Sequence, residues 1–133
     1  GNYGHTFALY DENVHVPLLI AAPGSGNGQM RVRKVVSLVD VAPTVLDVLG
    51  LQLAKGYQGE SMLDGERRMA LFFTDYSLGM SGLRDERWKC IYEIESGRTR
   101  LFNLMKDPGE TTDLSSSERE RTTRYSQILR TWR

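Results

Sequence analysis

Residues 87–104 read RWKCIYEIESGRTRLFNL. Two strand-like runs, Arg87 to Glu95 and Thr99 to Leu104, flank Ser96-Gly97, whose small side chains suit a tight turn. In the first run Trp88, Cys90, Tyr92 and Ile94 occupy alternate positions, which puts them on one face of an extended chain. The spacing predicts a β-hairpin with one buried face. Met69 to Thr74 is a third such run, so a small antiparallel sheet is expected over the second half of the chain. The intervening Tyr76 to Gly82 stretch reads as a glycine-bearing loop, a mobile turn or one reaching toward a ligand.

C-terminal to the hairpin, Lys106-Asp107-Pro108-Gly109 is a tight turn by the backbone preferences of Pro and Gly. Ser115 to Ser117 and Glu118 then open a polar, Arg-rich helix predicted to end near Arg130. Tyr125, Ile128, Leu129 and Trp132 form its docking stripe. Arg119, Arg121, Arg124, Arg130 and Arg133 make the helix basic, but Glu118 and Glu120 lie among them, so a solvated face accounts for the pattern.

On the N-terminal side, Asp40 stands where its carboxylate would cap a helix running to about Leu49, with Gly50 as its stop. Pro43 falls in the first turn, where a missing N–H costs little. Val14 to Ala22 is continuously apolar and predicts a strand buried on both faces of a sheet. Pro17 belongs near that strand's start or at a sheet edge. Pro23 to Gly28 is a loop by composition, and it lacks the GxxxxGK[ST] order of a phosphate-binding loop. Phe7 to Tyr10, followed by Asp11 and Glu12, predicts a short helical turn.

The chain has 133 residues, 40% of them apolar, enough for a modest globular core. Lys plus Arg and Asp plus Glu are balanced at 17 each, so no broad field exists to gather nucleic acid or an anionic membrane. Neither partner is expected. The longest apolar run is too short to span a bilayer, and no secretory signal opens the chain. One cysteine, Cys90, leaves no internal disulfide and no cysteine-based zinc cluster. With Gly1 standing inside what reads as a loop, the natural beginning is expected to be missing.

Three segments in order resemble the C-terminal third of sulfatases, of the alkaline phosphatase superfamily. They are Gly4-His5-Thr6 through Leu9-Tyr10-Asp11-Glu12 into Val16-Pro17-Leu18-Leu19-Ile20 and Pro23-Gly24; Val39-Asp40-Val41-Ala42-Pro43-Thr44-Val45-Leu46; and Leu101-Phe102-Asn103-Leu104 with Asp107-Pro108-Gly109-Glu110. Gly59-Glu60-Ser61-Met62-Leu63 and Arg84 to Ile91 are similar to further family patterns.

The resemblance implies an α/β fold. Residues 1–65 would end the catalytic domain and contribute to a mixed sheet, and residues 66–133 would form an antiparallel-sheet subdomain with its terminal helix. It also implies a sulfuric ester hydrolase whose formylglycine nucleophile and most metal ligands lie upstream, so this chain alone would be inactive. A divalent metal, calcium first, would serve the parent, with none held tightly here. Its substrate would be a small-molecule or carbohydrate sulfate ester. The family is often periplasmic, secreted or lysosomal, which leaves the compartment open. Two alternatives stand beside this reading: a phosphate or phosphonate ester hydrolase or phosphoglycerol transferase of the same superfamily, and a non-catalytic interaction module.

Cleaving a sulfate ester places negative charge on the transferred group and the leaving oxygen, so the site needs fixed donors or a cation there. His5, in a loop ahead of the apolar run, is the candidate catalytic residue. A neutral imidazole would ligate a metal or orient the leaving group; a protonated one would contact a sulfate oxygen. Many sulfatases carry a Lys near this point and this sequence has none there. A lone loop histidine is more often simply solvated, and the surrounding Gly-His-x-x-x-x-Tyr-Asp-Glu pattern is what favours a site role. Tyr10 and Asp11 would support the His5 loop by hydrogen bonds. For both, packing and a helix-dipole role compete with that reading. His15 is expected to be structural. An apolar strand left without sheet neighbours would expose edge and surface, inviting a homo-oligomer.

Overall fold

The structure, a computed structural model, describes residues 8–21, 31, 33–64, 69–76 and 78–132. Two compact units divide it, residues 17–70 and a unit made of residues 1–16 with 71–133.

The second of these is built on a four-stranded sheet in the order β1 (Ala70–Thr74), β2 (Met80–Arg84), β3 (Trp88–Glu93) and β4 (Thr99–Asn103). β2 pairs antiparallel with β3, Leu83 opposite Cys90 and Arg84 opposite Lys89. β3 pairs antiparallel with β4, Cys90 opposite Leu101 and Lys89 opposite Phe102. The hairpin closes as the sequence predicts, with Gly97 at φ 70, a value a residue without Cβ adopts at little cost.

Alternation sorts the strand residues onto two faces. Leu83, Trp88, Cys90, Tyr92 and Leu101 form one, covered by Tyr125 and Leu129 of helix α3 (Arg119–Thr131). At the β2–β3 turn, Asp85 Oδ1 accepts from the N–H groups of Arg87 and Trp88. Its Oδ2 accepts from the Tyr125 hydroxyl, which ties the hairpin to the helix. Arg121 stacks over the Trp88 ring at 4.4 Å, so one of the helix arginines covers core rather than merely facing water.

The opposite face, with Met80, Ile91 and Phe102, is also covered, by Leu9, Tyr10 and Val14 of the N-terminal segment. Here the sequence reading, which assigned the hairpin one buried face, needs correction: both faces are dry. A second correction concerns Met80 to Gly82, the end of the Tyr76 to Gly82 stretch expected to be a loop, which lies in β2. Met-Ser-Gly-Leu-Arg has weak strand propensity, yet Gly82 lies in β2 because a Cβ there would stand 2.1 Å from the Phe72 ring. The glycine makes room for an aromatic roof.

In the unit of residues 17–70, helix α2 spans Val41–Val48 and stops at Gly50, φ 66. Asp40 does not cap it. Its Oδ2 accepts from the Ser37 N–H at 2.9 Å and its Oδ1 from the Glu60 N–H at 3.0 Å. The carboxylate thereby joins the segment before α2 to the one after it. Thr44 Oγ1 repeats this by accepting from the Met62 N–H at 2.9 Å. Gly59 lies so close to Val39 that a Cβ would meet its carbonyl oxygen at 2.1 Å.

Residues 15–21 do not form the expected strand. Leu19 is 91% exposed, and Val16, Leu18 and Ile20 are each about half exposed. An apolar run becomes a buried strand only where neighbours accept its backbone hydrogen bonds. None of the described strands does so.

Candidate functional site

On the non-helical face of the sheet, four charges meet. Lys89, the second residue of β3, projects on the same side as Ile91 and is fully buried. Its Nζ donates to Asp11 Oδ1 at 2.8 Å and lies 2.9 Å from Glu110 Oε1, an ion-pair contact without hydrogen-bond alignment. Arg84, its cross-strand neighbour, donates from a terminal nitrogen to Asp11 Oδ2 at 2.6 Å. The Asp11 backbone N–H donates to Glu110 Oε2 at 2.5 Å. The Phe72 ring stands 5.6 Å from the Lys89 ammonium and limits its access to water.

Two cations and two carboxylates balance, which is the condition for burying any of them. Local sequence explains each position. Asp11 opens the short helix α1 (Asp11–Val14), where a carboxylate also faces the positive end of the helical turn. Glu110 follows the Pro-Gly turn, whose Asp107 carboxylate accepts from the N–H groups of Thr111 and Thr112. Glu110 sits at φ 52, a left-handed backbone state that costs a side-chain-bearing residue roughly 1–2 kcal/mol.

Beside this cluster, Tyr10 packs on Phe102 at 5.9 Å between ring centroids. Its hydroxyl accepts from Arg100, which also binds Glu93. Burial alone would raise the Glu93 pKa, but hydrogen bonds from Ser96 and Arg100 outweigh it and hold the carboxyl below its usual value.

The sequence-predicted residues fare differently. Tyr10 and Asp11 come together on this face, held to the sheet by Arg100 and by Lys89 with Arg84. His5 lies outside the described residues. His15 is exposed, 3.9 Å from Asp11. Lys89, Arg84 and Glu110 were not anticipated; the available signal was Ile91 and Phe102 at polar-face positions of β3 and β4, which marks that face as covered. Cys90 is no nucleophile: burial, then the Asp113 carboxylate, pushes its thiol up to about 12, so the thiolate is not formed at neutral pH.

Among the described residues, no group of three or more His, Cys, Asp or Glu converges as metal ligands do. Asp11 and Glu110 are turned to Lys89, Arg84 and a backbone N–H, so they do not fit a cation. An apolar cleft within residues 17–70, lined by Leu18, Ile20, Val41, Val45, Val48 and Met62 among others, offers no group for proton transfer. No described helix is long and apolar enough to cross a membrane.

The family model described as N-sulphoglucosamine sulphohydrolase, C-terminal, matches residues 1–129. The chain belongs to this sulfatase C-terminal family. Arylsulfatase K of Bos taurus is 30% identical over 145 residues, covering 95% of this chain and 27% of that protein. Arylsulfatase K of Danio rerio is 32% identical over 128 residues, covering 84% and 24%. The sulfatase C-terminal chain thus spans about a quarter of the length of the curated relatives it matches.

Among solved structures, that of BT4656 in complex with its substrate D-glucosamine-2-N,6-O-disulfate matches at TM-score 0.58 and 20% identity, over 69% of this chain and 22% of that one. The Bacteroides fragilis protein yidJ matches at 0.59 and 22%, over 70% and 23%. These likenesses show the fold, an alkaline-phosphatase-like α/β architecture whose part here is the antiparallel sheet with its C-terminal helix. The sulfatase family is metal-dependent in general.

Proposed function

We propose that this chain is the C-terminal part of a sulfuric ester hydrolase and supplies one edge of its active site, with nucleophile and metal ligands contributed by other parts of the enzyme. The observation that carries the reading is the family match across residues 1–129, which includes both the His5 loop and the charge cluster that holds the turn after it. Phosphoryl transfer and a purely non-catalytic role have no comparable support.

His5 contacts the substrate's sulfate oxygens or its leaving oxygen, and Tyr10 and Asp11 support it from the sheet. The substrate is a small-molecule or carbohydrate sulfate ester; the family description, with its N-sulphoglucosamine, supports a sulfated sugar, there with the sulfo group on nitrogen rather than oxygen. The metal is calcium, held outside the described residues.

The test is a parallel assay of the whole enzyme on an aryl sulfate and an aryl phosphate. A preference for the sulfate is expected, and His5→Ala should lower kcat by about 100-fold, the scale of a lost positioned donor or proton-transfer group. A strong preference for the phosphate ester overturns the sulfatase reading, and an undiminished kcat in His5→Ala overturns the role of His5.

A further inference from the structure

We infer that the outer edge of β1 is a docking edge, and that a strand from the upstream part of the enzyme pairs with it to extend the sheet. This joint concerns assembly and does not depend on the reaction proposed above.

The two edges of the four-stranded sheet differ. Beyond β4 the chain closes its own edge: the Leu114 N–H donates to the Leu101 carbonyl at 2.8 Å, and the Leu101 N–H donates to Asp113 Oδ1 at 3.1 Å. Beyond β1, among the described residues, no strand follows; its neighbour in the sheet is β2. A strand at a sheet edge presents a row of N–H and C=O groups that water or another strand must satisfy. Sheets blunt such edges with lysines, prolines or bulges. β1 reads Ala-Leu-Phe-Phe-Thr and holds no charge and no proline.

The side chains of β1 suit a partner strand as well. Phe72 turns to one face, where it roofs Gly82 and stands over Lys89. Phe73 turns to the other and is 67% exposed, its ring 6.1 Å from that of Trp132, which is 39% exposed just past α3. The two rings make an apolar shelf beside the edge. A strand paired with β1 brings every second side chain to that face, where an aromatic or β-branched residue gains contact with Phe73. A helix docked there would leave the β1 backbone groups without partners, so a strand satisfies backbone and shelf together.

The length of the relatives points to the source of that strand. This chain covers 27% and 24% of the two arylsulfatases compared above, and the family description places it at the C-terminal end, which leaves about three quarters of such an enzyme upstream. Tethering within one polypeptide raises the effective concentration of an upstream strand to roughly the millimolar range. A second copy is a poorer occupant. β1 paired with itself would bring together only five strand residues a side, well short of the roughly 20–30 per partner in a stable interface.

The test is hydrogen–deuterium exchange on the whole enzyme, together with a benzophenone photocrosslinker placed at position 73. Docking predicts that every amide of residues 70–74 exchanges at least about 100-fold more slowly than an unprotected amide, as amides of an inner strand do. The cross-link should join position 73 to a residue upstream of this chain in the same polypeptide. Phe73→Lys, which would place a charge in the joint, should speed exchange across residues 70–74 by at least about tenfold.

Loop-like exchange at alternate residues of β1 overturns the inference. A cross-link between two polypeptides, one that stays within these 133 residues, or no cross-link at all overturns it as well. So does unaltered exchange in a folded Phe73→Lys variant; were that variant not to fold, wild-type exchange and the cross-link decide. Neither readout uses catalysis, so the result stands whichever ester the enzyme cleaves.

Discussion

The two compact units have similar raw material and different outcomes. In the sheet unit, apolar side chains alternate along strands and each face meets a second layer: helix α3 on one side, residues 9–14 on the other. Leu83, Cys90, Leu101 and Leu129 have no exposure at all. In residues 17–70 the apolar side chains are more frequent still, yet Leu19, Leu38, Leu49 and Leu51 each remain more than half exposed. Polar clips from Asp40 and Thr44 hold that unit's segments together instead. Apolar pattern makes a core only where a second surface arrives to cover it.

That contrast can be broken most severely at the charge cluster. Glu110→Ala leaves Lys89, which has no exposure, with one carboxylate partner in place of two, and should cost about 3 kcal/mol or more. Urea unfolding followed on the sheet unit checks this; a loss below about 1 kcal/mol would mean that water reaches the ammonium.

Gly82→Ala comes next. Its methyl would collide with the Phe72 ring, and overpacking of this kind costs roughly 1–3 kcal/mol. Adding Phe72→Leu should recover part of that loss, because it removes the colliding ring; no recovery would place the strain in the backbone.

Acid sharpens the comparison more gently. Burial alone would raise the Asp113 pKa, but N–H groups of Ser115 and Leu101 outweigh it and hold the carboxyl low. For Asp107, bonds led by the Thr112 N–H have the same sense. A carboxyl depressed on folding contributes stability that is fully present above its unfolded pKa of about 4 and is lost as pH falls through the lower folded value. The urea midpoint of the sheet unit should therefore fall between about pH 4 and pH 2, and Asp113→Asn should flatten that decline.

The smallest effect is expected in the other unit. Leu19→Ser changes a side chain that is 91% exposed, so stability should stay within about 0.5 kcal/mol. Light scattering of the isolated chain should nonetheless show less self-association, since exposed apolar surface is what the substitution removes. A large stability loss would mean that Leu19 is packed in solution.

Much of the sheet unit was legible. Alternation at Trp88, Cys90 and Tyr92, turn chemistry at Ser96-Gly97, and the Tyr125/Leu129 stripe are short-range signals, and each matches an observed element. β2 was not legible, since Ser81 and Gly82 look like turn residues until Phe72 is placed over them. The Val14–Ala22 run misled for the opposite reason: a strong local preference for strand meets no partner among the described strands. Of the site residues, Tyr10 and Asp11 were visible through the pattern around His5. Lys89 was not, because a lysine at an alternate strand position ordinarily points to water.

By itself, then, the amino-acid order determined what depends on neighbours a few places apart: the hairpin, helices α2 and α3, the Gly50 stop, and the sulfatase resemblance carried by ordered motifs. Tertiary structure alone decided that both sheet faces are covered, that the Asp40 carboxylate joins segments rather than capping α2, and that Asp11, Lys89, Arg84 and Glu110 converge. The reason is separation along the chain. Asp11 and Lys89 are 78 positions apart, and no periodicity spans that interval; only the folding of α1 onto the sheet supplies the charges that let a lysine be buried.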